Sequence, residues 1–113
     1  MRVPFAAGAL LLICGALLGH SAQAAEPDTF TLSLKDHKFA PPELTIPANI
    51  RVRLVVKNLD PTPAEFESDD FKAEKIIPAG GEGILLIGPL KAGTYEFHDE
   101  YHEDASKSRL IAK

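Results

Sequence analysis

The chain has 113 residues, 25% of them charged, with 12 basic against 16 acidic side chains and a net charge of −4. That length leaves no room for a second sizeable domain. An acidic balance without a basic stripe argues against nucleic acid and anionic membrane surfaces as partners.

Met1-Arg2-Val3-Pro4 opens the chain, an uncharged apolar run follows from Phe5 to Leu18, and Ser21-Ala22-Gln23-Ala24-Ala25 comes next. A positive start, a short apolar middle and a small-x-small site are the layout of a secretory signal. The apolar run falls short of the roughly 20 residues that span a bilayer. The expectation is a signal peptide over residues 1–24, cleaved after Ala24, and a single exported, periplasmic domain over 25–113 with no membrane anchor. A lipoprotein signal at Cys14 is disfavoured, because Ile13 stands where a small residue is expected. Cys14 and Met1 are the only cysteine and methionine, so residues 25–113 contain neither thiol nor thioether. Such a domain has no disulfide and no sulfur ligand for a metal.

Phe30-Thr31-Leu32-Ser33-Leu34-Lys35 alternates apolar and polar, the pattern of a strand with one buried face. Leu44-Thr45-Ile46 repeats it after Pro41-Pro42, and Ile50 to Val56 repeats it again with Val52, Leu54 and Val56 on one face. Pro61, Pro63 and the acidic residues beyond them predict a long loop. Lys75-Ile76-Ile77 resumes order, with a helical turn allowed over Asp69 to Lys75. Pro78-Ala79-Gly80-Gly81 makes a turn, and Gly83 to Ile87 reads as a strand covered on both faces. Thr94-Tyr95-Glu96-Phe97 alternates, His98 to Ser108 reads as a polar loop, and Leu110-Ile111-Ala112 closes the series. Seven or eight short strands without a sustained helical period predict an all-β, mostly antiparallel Greek-key sandwich.

Two polar clusters interrupt this pattern, Glu65-Phe66-Glu67-Ser68-Asp69-Asp70 and His98-Asp99-Glu100-Tyr101-His102-Glu103-Asp104. Both read as loop segments at strand ends, where side chains can converge. Carboxylates with one or two imidazoles suit iron, manganese, copper(II) or zinc. Acidic loops more often simply face water, and Asp69-Asp70 reads as such a turn. His37, after the first strand, reads as a surface residue rather than a ligand, and His98 as either a ligand or a solvent contact.

The order Phe39-Ala40-Pro41-Pro42-Glu43-Leu44-Thr45-Ile46, then Leu54-Val55-Val56-Lys57-Asn58-Leu59-Asp60, then Gly93-Thr94-Tyr95-Glu96-Phe97 with a late His102 resembles the cupredoxins. The resemblance implies a cupredoxin-like sandwich with metal-facing loops at one end. It puts the family's first histidine at Glu65, its cysteine at Asp99, its second histidine at His102 and its methionine near Lys107. Only His102 matches, which removes the blue-copper reading.

Glu65-Phe66-Glu67-Ser68, Glu74-Lys75, Gly88-Pro89-Leu90 and Glu100-Tyr101-His102-Glu103-Asp104 are similar to the periplasmic cupredoxin-like proteins of bacterial iron uptake, such as the cupredoxin-like domain of EfeO. The resemblance implies a metal-binding accessory protein, taking iron or copper(II), beside an inner-membrane iron permease and other periplasmic uptake components. The expected metal residues are Glu65, Glu67, Asp99, Glu100 and His102, with Glu67 as an alternative or outer ligand. Enzymatic turnover, as ferrous iron oxidation, follows only with an electron acceptor nearby. No Ser-His-Asp, Cys-His or phosphate-loop motif is present. The competing reading is a metal-free cupredoxin-fold module that docks on a transporter or partner enzyme.

Overall fold

The computed structural model describes residue 15 and residues 26–113. The expected signal segment and its cleavage site thus lie outside the described residues, apart from Gly15. Among the described residues no helix is long and apolar enough to cross a membrane.

The nine strands of the described residues are β1 Thr29–Lys35, β2 Lys38–Ala40, β3 Glu43–Ile46, β4 Val52–Asn58, β5 Ala64–Ser68, β6 Ala73–Ile77, β7 Glu82–Ile87, β8 Gly93–Asp99 and β9 Ser108–Ala112. They form a four-stranded sheet, β2-β1-β4-β7, facing a five-stranded sheet, β3-β9-β8-β5-β6. β1 runs parallel to β4 and β3 parallel to β9; the remaining pairs are antiparallel. The expected all-β sandwich is present, with nine strands in two mixed sheets instead of seven or eight. β2 has only three residues, too few for alternation to show in the sequence.

Alternation packs the interior as expected. Leu32 and Leu34 of β1, Val52, Leu54 and Val56 of β4, Phe66 of β5 and Phe97 of β8 are all at most 1% exposed. Phe39, Phe66 and Phe97 form an aromatic cluster with ring centroids 5.2–6.0 Å apart. With Phe66 and Phe97 fixed inward, their neighbours Glu65, Glu67 and His98 must face outward, because successive strand side chains point to opposite faces.

Four local expectations are corrected. The loop expected after Pro63 ends at once: Ala64, Phe66 and Ser68 are buried, and β5 lies inside the sheet between β8 and β6. The charges of Glu65 and Glu67 obscured a regular alternation. The run from Gly83 to Ile87 is covered on one face only, with Ile84 and Leu86 more than half exposed. The segment before β6 is a turn over residues 69–72 rather than a helix, and the segment after Phe97 continues β8 to Asp99 before a 3-10 turn, Glu100–His102, and a short helix α1, Glu103–Ser106.

The sheets also sort charge. Lys35, Lys38, Arg53 and Lys57 lie on the outer face of the four-stranded sheet, with Glu82 as its one acid. The outer face of the other sheet carries Glu43, Glu65, Glu67, Glu74 and Glu96, with Arg109 beside Glu43 as its strand base. The basic stripe missing from the linear sequence is therefore assembled by strand pairing, and the acidic face opposite it sets up a potential that attracts cations.

Candidate metal centre

Glu67 on β5 is the direct cross-strand partner of His98 on β8 and, on its other side, of Glu74 on β6. Like charges directly opposite one another are destabilising in a sheet. Glu100, the first residue of the 3-10 turn, returns toward this face: its Oε2 lies 2.7 Å from His98 Nε2, and Glu67 Oε2 lies 3.8 Å from the same nitrogen. One ligand atom from each of Glu67, His98 and Glu100 falls within 4.8 Å of the others. The His98 side chain is only 13% exposed, whereas Glu100 is 46% exposed, so the cluster opens to solvent on the Glu100 side.

Crowding of carboxylates perturbs their protonation. A hydrogen bond with Glu100, then burial and the charges of Glu100, Asp69 and Glu74 push the Glu67 carboxyl up to about 7. His98 first, and Glu67 beside it, hold the Glu100 carboxyl below the ordinary carboxylate range. Beside them, a hydrogen bond with Glu74 and burial raise Glu65, and burial together with the Glu65 charge raises the Tyr101 hydroxyl.

Asp99 has a different role. It is 1% exposed; its Oδ1 accepts the Glu65 N–H at 2.9 Å and the Tyr101 N–H at 3.1 Å, and its Oδ2 lies 3.2 Å from His102 Nδ1. Its own N–H donates to the Ser106 hydroxyl at 2.7 Å. A buried carboxylate so fully engaged fastens β5 to the 3-10 turn and orients His102; its oxygens are not free to face a metal on the acidic face. The His102 ring stacks on His37, with centroids 3.5 Å apart and planes 13° apart.

The five residues expected to form one site are thus divided. Glu67 and Glu100 come together with His98; Asp99 and His102 come together with His37; Glu65 borders the first group through Glu74 and Tyr101. Glu65 and His102 are not brought to one ion-sized space among the described residues. His98 was visible as an outward residue through its alternation with Phe97, but only the unforeseen strand β5 makes it the partner of Glu67. Glu74 joins the face through the same strand pairing.

The chain matches the cupredoxin-like domain family over residues 8–112. It is a member of that family. It is 36% identical over 80 residues to an uncharacterized protein of Rickettsia prowazekii (strain Madrid E), an alignment covering 71% of this chain and 64% of that protein. Solved structures share the fold at low identity. A copper binding protein determined by NMR in the apo form gives a TM-score of 0.68 at 19% identity, covering 80% of this chain and 92% of that one. Auracyanin A, a blue copper protein of Chloroflexus aurantiacus, gives 0.66 at 14% identity, covering 78% and 100%. Amicyanin from Paracoccus versutus gives 0.61 at 14%, covering 79% and 85%.

The residues of this cupredoxin-like chain do not fit a blue-copper centre. No cysteine or methionine occurs in residues 26–113, and the expected cysteine position, Asp99, is a buried carboxylate committed to hydrogen bonds. Glu67, His98 and Glu100 do fit an ion bound by oxygen and nitrogen. Two ligands at about 2.1 Å from one ion and at right angles lie about 3 Å apart, and the separations of 2.7 and 3.8 Å bracket that value.

Proposed function

We propose that this cupredoxin-like protein is a periplasmic metal-binding accessory that carries iron or copper(II) on its acidic face, with Glu67, His98 and Glu100 as ligands. The observation that carries the reading is the convergence of those three ligand atoms within 4.8 Å on paired strands. Two carboxylates and one imidazole form a hard-to-borderline set suited to Fe(III) and tetragonal Cu(II). Glu65 and Glu74 add negative charge beside the ion and serve to attract it. Iron as the cargo, and an inner-membrane permease as the recipient, rest on the resemblance of the Glu65-Phe66-Glu67-Ser68 and Glu100-to-Asp104 segments to iron-uptake proteins. No turnover is included in this reading: the protein binds and delivers.

Metal titration of the parent with Cu(II), and with Fe(III) supplied as a soluble chelate, tests it. Glu67→Gln, His98→Gln and Glu100→Gln should each weaken binding at least about tenfold, since loss even of an outer partner of a metal ligand typically costs 10–100-fold. Asp104→Asn, at a fully exposed position, is the control. Parental affinity in all three ligand variants rejects the site and leaves the metal-free docking module as the better account.

A further inference from the structure

Among the described residues three of the four sheet edges are guarded against pairing with a further strand, and the fourth is not. β2 and β3 have only three and four residues, and β3 lies between Pro42 and Pro47. β6 carries Glu74 and Lys75 and stops at Pro78. Short length, charge and proline are the devices by which native sheets blunt an edge. β7, the last strand of the four-stranded sheet, runs in unbroken register with β4 from Glu82 opposite Lys57 to Ile87 opposite Val52, and from Gly83 to Ile87 it holds neither charge nor proline. Its outward side chains Ile84 and Leu86 are 56% and 57% exposed. A groove of about 390 Å³ lies between this edge and β6, lined by Phe71 and Ala73 on one side and by Leu85 and Ile87 on the other. An apolar edge of this kind is a template for one more strand.

The strand that fits is β7 itself. Side chains alternate with period 2, so an antiparallel copy keeps outward residues beside outward residues only when the two-fold axis falls on a residue. An axis at Leu85 sets Ile84 opposite Leu86 of the second copy and Gly83 opposite its Ile87. The exposed aliphatic side chains then cover one another, and every contact occurs twice. Axes at Ile84 or Leu86 are poorer, since they set Glu82 against Leu86 or Ile84 against Gly88. Charge agrees with the Leu85 register. Glu82, whose side chain is 57% exposed, comes opposite Gly88 of the second copy, and Arg51 Nε lies 3.4 Å from the Gly88 carbonyl oxygen. An acid therefore meets a guanidinium at each end of the paired strands.

We infer that the protein forms a symmetric dimer by antiparallel pairing of β7 with β7 of a second copy, with Ile84 and Leu86 as its apolar centre and Glu82 against Arg51 at both rims. The two four-stranded sheets become one sheet running through both copies. Glu67, His98 and Glu100 belong to the other sheet and the turn that follows it, and they take no part. The dimer thus stands apart from the proposed metal binding and does not depend on it.

Sedimentation velocity of the metal-free protein, from micromolar to near-millimolar concentration, should show a monomer–dimer equilibrium and nothing larger. Leu86→Lys puts a charge on an exposed position of the edge and should weaken the dimer at least about tenfold, with the far-ultraviolet circular dichroism of the parent kept. Glu82→Arg and Arg51→Glu each bring like charges together at both rims and should each weaken self-association about tenfold. An equimolar mixture of those two variants restores opposite charges at both rims and should dimerise as the parent does. A sample that is monomeric at every concentration overturns the inference and leaves β7 free for a strand of another protein. Growth beyond the dimer also overturns it, because that reports head-to-tail contact of the basic face with the acidic one. So do a Leu86→Lys dimer of parental affinity and a mixture of the charge variants that associates no better than its components.

Discussion

Glu67 and His98 stand directly opposite each other on β5 and β8, with Phe66 and Phe97 beneath them in the core. This pairing fixes both the polar groups of the proposed site and the aromatic packing that keeps them outward. The alternation of the two strands thereby supplies a rigid base for the ligands.

The raised Glu67 carboxyl gives the apo protein an unusual pH response. Its folded value of about 7 lies above the ordinary 4.5, so its protonated form favours the fold. That contribution is fully present below about pH 4.5 and is lost as pH rises through 7; Glu65, also raised, adds in the same direction. Glu100, lowered, acts the opposite way: its contribution is fully present above its ordinary value and is lost only as pH falls below it. Denaturant unfolding of the metal-free protein should therefore show stability falling between pH 5 and 8, and Glu67→Gln should flatten that slope.

Metal and proton compete for the same oxygens. Affinity at the acidic face should rise as pH increases from 6 to 8, with proton release on binding, because Glu67 must give up its proton to become a ligand. Calorimetry in two buffers of different ionisation enthalpy measures that release, and a pH-independent affinity would remove Glu67 from the ligand set.

Asp99 should behave as a structural residue. Asp99→Ala strands the Glu65 and Tyr101 N–H groups, and a buried donor left without a partner costs about 1–3 kcal/mol. The expected loss is at least about 2 kcal/mol of unfolding free energy, together with release of His102 from its fixed orientation. Chemical denaturation of the apo protein measures it, and a stability unchanged from the parent would contradict the role.

Copper loading gives a simple optical test. Without a thiolate among residues 26–113, bound Cu(II) should show only weak absorption and a tetragonal paramagnetic resonance spectrum. An intense blue colour in pure protein would mean a sulfur ligand.

Much of the fold was legible in the sequence, because period-2 alternation is imposed by burial of one sheet face. β1, β4 and β8 follow from Leu32, Leu34, Val52, Leu54, Val56 and Phe97 directly. β5 was hidden because an outward strand face can be wholly acidic, so Glu65 and Glu67 read as loop although Ala64, Phe66 and Ser68 kept the alternation. Ile84 and Leu86 misled in the opposite sense, since an apolar run does not report how many of its faces are covered. The carboxylates of the site were recognisable by type. Their grouping was not, because it depends on which strands are neighbours: Glu74 and His98 enter only through pairing with β5. Asp99 was recognisable by its place in the motif, but its burial and its grouping with His37 and His102 were not, because position in a motif carries no information about either.

The most direct measurement is the position of the ion itself. Crystals of the protein grown with Cu(II), with diffraction collected on both sides of the copper absorption edge, locate bound copper by its anomalous signal. The account predicts a peak about 2.0–2.2 Å from His98 Nε2 and from a carboxylate oxygen of both Glu67 and Glu100. A protein that binds copper in solution but shows no peak at these three residues would contradict the assignment of the acidic face as its metal centre.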